Sequence, residues 1–411
     1  MRAEADSAAL LAGAFFARRV DAVKEDFAPR VVVALPARNE AERIERCLRA
    51  LAAQSGDFPP FGALLLVNNS CDDTCARASA VASTLPFALR VVDAELTPDF
   101  DHAGGARRIA LDLSAAWLEE SGAGAGFLLT TDADSAPALD WLAAKMSAFA
   151  AGADAVAGRI ALFPDEDAAL APALKARGAL EGAYEALLTE IFARLDPRPH
   201  DPWPRHAAEP GASLALTLSA YRQIGGAPLV PSGEDRALAC LIEAHGLRLR
   251  HDPQALVFTS GRLVGRARGG VADALRLRTA QPQAWCDPYL EPAAVALVRA
   301  GARGRLRALR AAGATGEAGL IALALGVGAG ALSAAAREPG FHVFWSKFEA
   351  ASPILRRRLL RPADLSRQIA FAKAALRLIR LRAVRSDPAD IVRLAAPIEA
   401  AQSFGTPEGT K

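Results

Sequence analysis

The sequence predicts an α/β fold: a doubly wound, mostly parallel sheet followed by a helical C-terminal extension. Three observations predict it. Short apolar runs recur at 30–35, 63–67 and 127–129, each the length of a strand buried on both faces. Between them lie segments with helical spacing, such as Ile44, Cys47, Leu48 and Leu51, so strands alternate with helices and a parallel sheet follows. The alternation stops near Asp273, beyond which helical patterns dominate.

At 411 residues, 52% apolar and 23% charged, the chain is a packed globular protein, long enough for one large domain with appendages or for two domains. A formal net charge of +2 gives no support to a nucleic-acid partner. The five cysteines (Cys47, Cys71, Cys75, Cys240 and Cys286) are sparse and odd in number, which reads as reduced thiols in a cytosolic setting. Cys71 and Cys75 have no accompanying His/Cys pair, so zinc is not expected. Glu4 and Asp6 precede the first apolar stretch, unlike a secretory signal. The expected location is cytoplasmic, at the inner face of the membrane if the basic C-terminal helices touch lipid.

Taken in order, residues 1–28 read as an N-terminal helix packed on the domain through Leu10, Leu11, Phe15 and Phe16. A first strand over 30–35 runs into the loop Pro36 to Glu40, and a helix follows with Asn39 as N-cap and Glu42 as its capping-box partner. That loop lies at the carboxyl edge of the sheet. The second strand, 63–67, meets a polar edge loop from Asn68 to Thr74, then a helix through Ala82. A third short strand spans 89–92. Asp101 to Arg108 is a glycine turn leading into a helix with Ile109, Leu113 and Trp117. The fourth strand begins at Phe127 and ends at Asp132 and Asp134. No Gly-x-Gly-x-x-Gly follows the first strand, which removes the main support for a dinucleotide-binding site.

A fifth strand is expected over 155–162 and a helical stretch over 169–195. The Pro-rich loop after it holds His200, Trp203 and His206, and long loops in compact domains are often functional. A strand over 211–217, a short helix with Tyr221 and Ile224, and the segment Ser232 to Arg236 leading into a helix through Ala244 come next. Short strands are expected at 247–250 and 255–258. The stretch from Ser260 to Gly270 sets Arg262, Arg266 and Arg268 among glycines and alanines; it reads either as a cationic loop closing over phosphates or as a basic surface turn. The expected division is 1–28, a catalytic-type domain over 29–272, a helical region over 273–399, and a loose tail over 400–411. The apolar stretch 318–336 is weakly hydrophobic because of its Ala and Gly, so a packed helix or hairpin is expected before a membrane span. Arginines alternate with Leu and Ile over 354–384, giving either a helix lying on an anionic membrane surface or a solvated face.

Asp132 and Asp134 carry the chemistry. In an extended segment residues two apart point the same way. Two carboxylates on one side repel unless a cation or a proton relieves them, and hard oxygen donors suit Mg²⁺ or Mn²⁺ bridging to substrate phosphates. A surface turn with two solvated aspartates is the plainer alternative.

Five motifs in order resemble the family 2 glycosyltransferases of GT-A fold, over about residues 29–262. They are Leu35-Pro36-Ala37-Arg38-Asn39-Glu40, the loop Val67 to Thr74, the helix start Gly104 to Arg108, Thr131-Asp132-Ala133-Asp134, and Gly211 to Leu216 with Gly233-Glu234-Asp235. The resemblance implies a GT-A-like sheet and transfer of one hexose-type sugar from a nucleotide-diphosphate sugar donor. It implies Asp132 and Asp134 as ligands of Mg²⁺ or Mn²⁺, with His251 as a third, and Asp235 as the base of an inverting reaction beside Glu234. Pro36, Ala37, Arg38, Asn39, Glu40, Asn68, Asn69, Asp72, Arg107, Asp132, Arg262 and Arg266 are the implied donor-binding positions. The chain departs from the family in carrying Asn68 and Asn69 where a base-holding aspartate is usual, which leaves the nucleotide open. The Gln-x-x-Arg-Trp motif of processive synthases is absent, consistent with single transfer. The acceptor is a small molecule, lipid or glycan. Competing readings are a retaining transferase, a nucleotidyltransferase, which would want a glycine-rich basic loop after the first strand, and a non-catalytic scaffold of the same fold on a membrane surface.

Overall fold

Val31, Val33 and Leu35 face one side of their strand and Val32 and Ala34 the other, and all five are fully buried. Alternation with both sets buried requires cover on both faces, which is the doubly wound arrangement. The computed structural model describes residues 13–386 apart from 24–26, 123, 264, 266–269 and 315.

Among the described residues nine strands form one sheet: β1 (Phe15–Val23), β2 (Val31–Ala37), β3 (Phe61–Asn68), β4 (Ala88–Leu96), β5 (Phe127–Thr130), β6 (Ala136–Pro137), β7 (Ala155–Leu162), β8 (Leu214–Thr217) and β9 (Leu249–Thr259), in the order β1-β4-β3-β2-β5-β8-β7-β9-β6. β2, β3, β4, β5, β7 and β9 point the same way, and β1, β8 and β6 run against them. On one face Ile44, Cys47, Leu48 and Leu51 of α1 (Ile44–Ala52), α2 (Thr74–Ala82) and α4 (Trp141–Ala150) cover Val31, Val33, Leu65 and Val67. On the other, Ile109, Leu111 and Trp117 of α3 (Ala103–Glu120) cover Val32, Leu64 and Leu128, joined by α7 (Leu218–Gln223) and α8 (Glu234–Ala244).

Beyond β7, α5 (Pro164–Ala169) and α6 (Pro172–Leu195) leave the sheet. α6 packs against α10 (Ala293–Ala311) and α14 (Leu365–Ser386) around Tyr184, Leu188, Ala296, Ala300, Leu365 and Leu376. α9 (Val271–Ala280) lies beside α6, and α11 (Gly316–Ala324), α12 (Ala329–Ala336) and α13 (Phe341–Ala351) form a further cluster around Phe344, Trp345 and Phe348. The apolar stretch 318–336 is thus two short helices, broken at Gly326 (φ +71°). Among the described residues no helix is long and apolar enough to cross a membrane.

Two expectations of local structure are corrected. The helix expected over 1–28 is a strand where it is described: Phe15–Val23 pairs antiparallel with β4, from Phe15 opposite Leu96 to Val23 opposite Leu89. β4 would otherwise be the open edge of the sheet, and its unpaired backbone groups gain partners from this extended segment. Residues 1–12 lie outside the described residues, as do 387–411, which include the expected tail. The second correction is Asn39. It does not cap α1, whose N-terminal flank is Arg43. Asn39 instead takes a left-handed conformation (φ +54°) and accepts a hydrogen bond from the Cys71 amide at 2.9 Å.

Candidate active site

The parallel strands deliver their carboxyl ends to one edge, where ligands bind in open α/β sheets. The loop after β2 and the loop after β3 are stitched together there. Thr74 accepts the Glu40 amide at 2.8 Å, Ser70 accepts the Asn39 amide at 3.0 Å, and Asp72 accepts the Ala41 amide at 3.0 Å. Burial alone would push the Asp72 carboxyl up, yet hydrogen bonds from Thr74 and Ala41 hold it below the ordinary carboxylate range. Asn69, like Asn39, is left-handed (φ +47°). Left-handed non-glycine residues concentrate at sites that constrain the backbone.

Asp132 and Asp134 follow β5, and each meets an arginine from elsewhere in the chain. Arg107, in the first turns of α3, is buried. It donates to Asp132 Oδ1 at 2.9 Å, Glu234 Oε1 at 3.2 Å, Thr130 Oγ1 at 2.8 Å and the Gly211 carbonyl at 3.0 Å. Burial disfavours its charge, but Asp132 and Glu234 more than compensate and hold its pKa above the usual value. The helix start that places it needs a small residue, since a Cβ at Gly104 would stand 2.1 Å from the Val230 carbonyl oxygen, and so does the segment facing it, where a Cβ at Gly211 would stand 2.5 Å from Arg107 Nη2. Arg262, after β9, donates to both oxygens of Glu40 at 2.6 and 2.9 Å and lies 2.9 Å from Asp134 Oδ2. Burial first, and Asp132 second, push the Asp134 carboxyl up to about 6. Cys47 sits under the pair, its thiol donating to the Asp132 carbonyl at 3.6 Å, and burial pushes that thiol up.

Glu234 and Asp235 open α8. Glu234 faces inward to Arg107, whereas Asp235 is half-buried, its carboxylate held by the Gly211 amide at 3.2 Å and the Arg236 amide at 2.8 Å. Gly211 begins a 3-10 turn, Gly211–Ser213, that leads into β8. Arg107 therefore ties the Asp132 edge to the Glu234–Asp235 edge through a single guanidinium.

Arg107, Asp132 and Glu234 meet in the structure, and other expected site positions lie apart from them. His251 is not brought to the aspartate pair. It is third in β9, its Nδ1 3.0 Å from Asp201 and its Nε2 3.6 Å from Glu209, because the fully buried Asp201 demands partners there and also takes the His251 amide. Among the described residues no three His, Cys, Asp or Glu side chains converge as a metal cage. Asn69 is turned away from the edge, exchanging side-chain hydrogen bonds with the Leu96 backbone at 2.8 and 3.2 Å. Asn68 is buried at the end of β3, and Arg38 donates to Asp101 at 2.6 Å. Pro36 and Ala37 are the last residues of β2. Arg266 lies outside the described residues.

Two features had no sequence signal. Arg43 pairs with Glu166 at 2.6 Å, and Glu166 in turn receives the Gly261 amide at 2.6 Å, so α5 fixes the start of the Arg262 segment. Lys145 is fully buried with its ammonium 3.0 Å from the Ser213 carbonyl, directly behind the 3-10 turn.

Residues 32–201 match the family model described as Glycosyl transferase family 2. No curated protein matches the chain. Among solved structures, S. aureus TarS aligns at 16% identity and TM-score 0.38 over 56% of this chain and 36% of TarS, so the chain spans little more than a third of that protein. The mannosyltransferase PcManGT from Pyrobaculum calidifontis, solved with GDP-Man and Mn²⁺, aligns at 23% identity and TM-score 0.42 over 79% of this chain and 86% of that one. Glucosyl-3-phosphoglycerate synthase from Mycobacterium tuberculosis aligns at 18% identity and TM-score 0.34 over 56% and 72% of the two chains.

Proposed function

We propose, from the match of residues 32–201 to the Glycosyl transferase family 2 model, that the chain transfers one hexose-type sugar from a nucleotide-diphosphate donor to an acceptor hydroxyl, with inversion and with a divalent metal. The observation that carries the proposal is the Arg107 tie. It gathers a carboxylate pair suited to a metal-bound diphosphate and a half-buried carboxylate suited to a base onto one sheet edge.

The residues fit a hard cation. Asp132 and Asp134 offer oxygen donors, and the upward push on Asp134 comes partly from its neighbour's charge, which a cation would relieve. With two protein carboxylates and no third ligand from His251, Mg²⁺ or Mn²⁺ would complete its shell with diphosphate oxygens and water. Bound there, it would neutralise the leaving nucleoside diphosphate. Arg262, held now by Glu40 and Asp134, has the planar fork that suits diphosphate oxygens. The loop from Pro36 to Glu40, with Asn68 and Asp72, forms the donor side, the backbone there being fixed by Asp72 and Thr74.

Glu234 is engaged by Arg107, so Asp235 is the residue assigned to accept the acceptor's proton. The amides of Gly211 and Arg236 hold its carboxylate in place. A single base on the face opposite the leaving group gives inversion. The acceptor is a small molecule, lipid or glycan. α14 carries exposed Phe371, Leu378 and Leu381 among arginines, which supports peripheral contact with an anionic membrane as part of the same reading.

Asp235→Asn tests the assignment. We expect transfer to be abolished while binding of the donor nucleotide, read by calorimetry, stays within about twofold of the unaltered protein. Normal turnover by the variant would remove Asp235 as the base.

A further inference from the structure

The far side of the catalytic domain from Asp134 carries a second charged cavity. It has a volume of about 250 Å³ and opens between the end of α8, the Pro-rich loop after α6, and the helices α10 and α13. Arg198, His200, Glu243, Arg303, Arg307 and His342 line it, with the Phe341 ring beneath Arg307 at 4.0 Å. Gly246 and Leu247, just before β9, form its floor, so it sits at the amino end of that strand, whereas Thr259 at the carboxyl end bonds Ser135 beside Asp134.

Its cations exceed its anions. Asp196 receives both donors of Arg307, at 2.7 and 3.0 Å, and lies 3.5 Å from Arg303. Glu243 is shared between Arg198 and His342, the latter at 3.0 Å. The other neighbour of Arg198, Asp201 at 3.3 Å, is already matched by Arg205, Arg250 and His251. Arg198, Arg303, Arg307 and His342 thus share the two carboxylates of Asp196 and Glu243, with His200 beside them in the wall. The donors are not satisfied either. Nε of Arg198 and Nε of Arg303 are buried with no hydrogen-bond partner, and the Arg198 side chain is only 10% exposed. A buried donor without an acceptor is costly. Burial, and then Arg198, also weaken the hold of Arg303 on its proton, pushing it down to about 10.

We propose that this cavity is an anion site for a phosphate group on a small soluble molecule, held by Arg198, Arg303 and Arg307 at the seam between the catalytic domain and the C-terminal helices. Phosphate supplies the negative charge that the wall lacks and acceptor oxygens for guanidinium groups. The cavity is separate from the Asp132–Asp134 edge, and its occupancy is independent of the glycosyltransferase reading.

The test uses the full chain and inorganic phosphate, by equilibrium dialysis and by thermal shift at constant ionic strength set with chloride. We expect saturable binding and a saturable rise in Tm, retained in Asp134→Ala and reduced at least tenfold in affinity in Arg303→Met. His200→Glu, which adds a carboxylate at the wall without breaking either ion-paired set, is expected to lose binding as well, and keeps the test decisive if Arg303→Met fails to fold. Phosphate binding lost in Asp134→Ala, or unchanged in both cavity variants, would place the anion elsewhere and overturn the proposal. So would a Tm rise that chloride reproduces. Sedimentation with vesicles containing phosphatidic acid, in the absence of any binding of free phosphate, would overturn it too, by assigning the cavity to lipid headgroups.

Discussion

Arg107→Met removes the guanidinium that joins Asp132 to Glu234 in the candidate active site. The arginine side chain is 6% exposed and its partner Glu234 10% exposed, so this pair belongs to the buried class, in which deleting one partner costs about 3–5 kcal/mol. Asp132 is 37% exposed, and solvent screens its share to less than about 1 kcal/mol. The Thr130 hydroxyl and Gly211 carbonyl lose a donor as well. We expect a net loss of about 4 kcal/mol, which at roughly 2–4 °C per kcal/mol lowers Tm by about 10 °C. Adding Glu234→Gln should recover part of that loss, because the stranded charge is what makes the single variant costly. Sugar transfer by the folded fraction should fall about 100-fold, the cost of a misplacement near 1 Å. Differential scanning calorimetry and a donor-turnover assay read the two effects. An Arg107→Met protein with unaltered Tm and turnover would refute the reasoning, as would a double variant less stable than the single one.

Two further outcomes are expected. Gly211→Ala should reproduce the activity loss of Arg107→Met more mildly, since the new Cβ would stand 2.5 Å from Nη2 of a side chain held by four hydrogen bonds; unaltered turnover would show that Arg107 yields freely. Lys145 is fully buried, and burial pushes its pKa down to about 7, below the unfolded value of about 10.4. The unfolded chain then binds more protons than the folded one between these limits, so the penalty is full below about pH 7 and fades as pH rises through the window. Urea titrations should show stability rising by about 2 kcal/mol from pH 7 to pH 9, and Lys145→Met should be the more stable protein at pH 7 with that rise flattened. Parallel pH profiles for the two proteins would contradict this.

The parts of the fold that the sequence revealed are those set by local pattern. Val31–Leu35 and Ala63–Val67 are apolar on both faces, and only a doubly covered strand buries both sets, so β2 and β3 and the loops after them could be placed without a structure. Asp132 and Asp134 are picked out by their position at a strand end, whereas Glu234 and Asp235 are picked out only by the resemblance of Gly233-Glu234-Asp235 to the family's motif. The parts that escaped are set by partners distant in sequence. Phe15–Val23 takes its strand form from the open edge of β4, which no local pattern announces. His251 is claimed by Asp201, fifty residues away. Arg107 is marked as a candidate only by the resemblance of Gly104 to Arg108 to the family's helix start, and its engagement of Glu234, 127 residues on, has no sequence signal. Lys145 reads as an ordinary helix lysine until Ser213 and Val156 are seen to enclose it.

Whether this sheet edge binds a nucleotide diphosphate through a metal is answered most directly by a thermal-shift series of nucleoside diphosphates and sugar nucleotides, with and without Mn²⁺. Ligands that bind only the folded chain raise its Tm. The expected result is a shift with one nucleoside diphosphate and its sugar conjugates that requires Mn²⁺ and disappears in Asp134→Ala. No shift with any of them, or a shift that Asp134→Ala retains in full, would contradict the assignment of Asp132 and Asp134 to a metal-held donor.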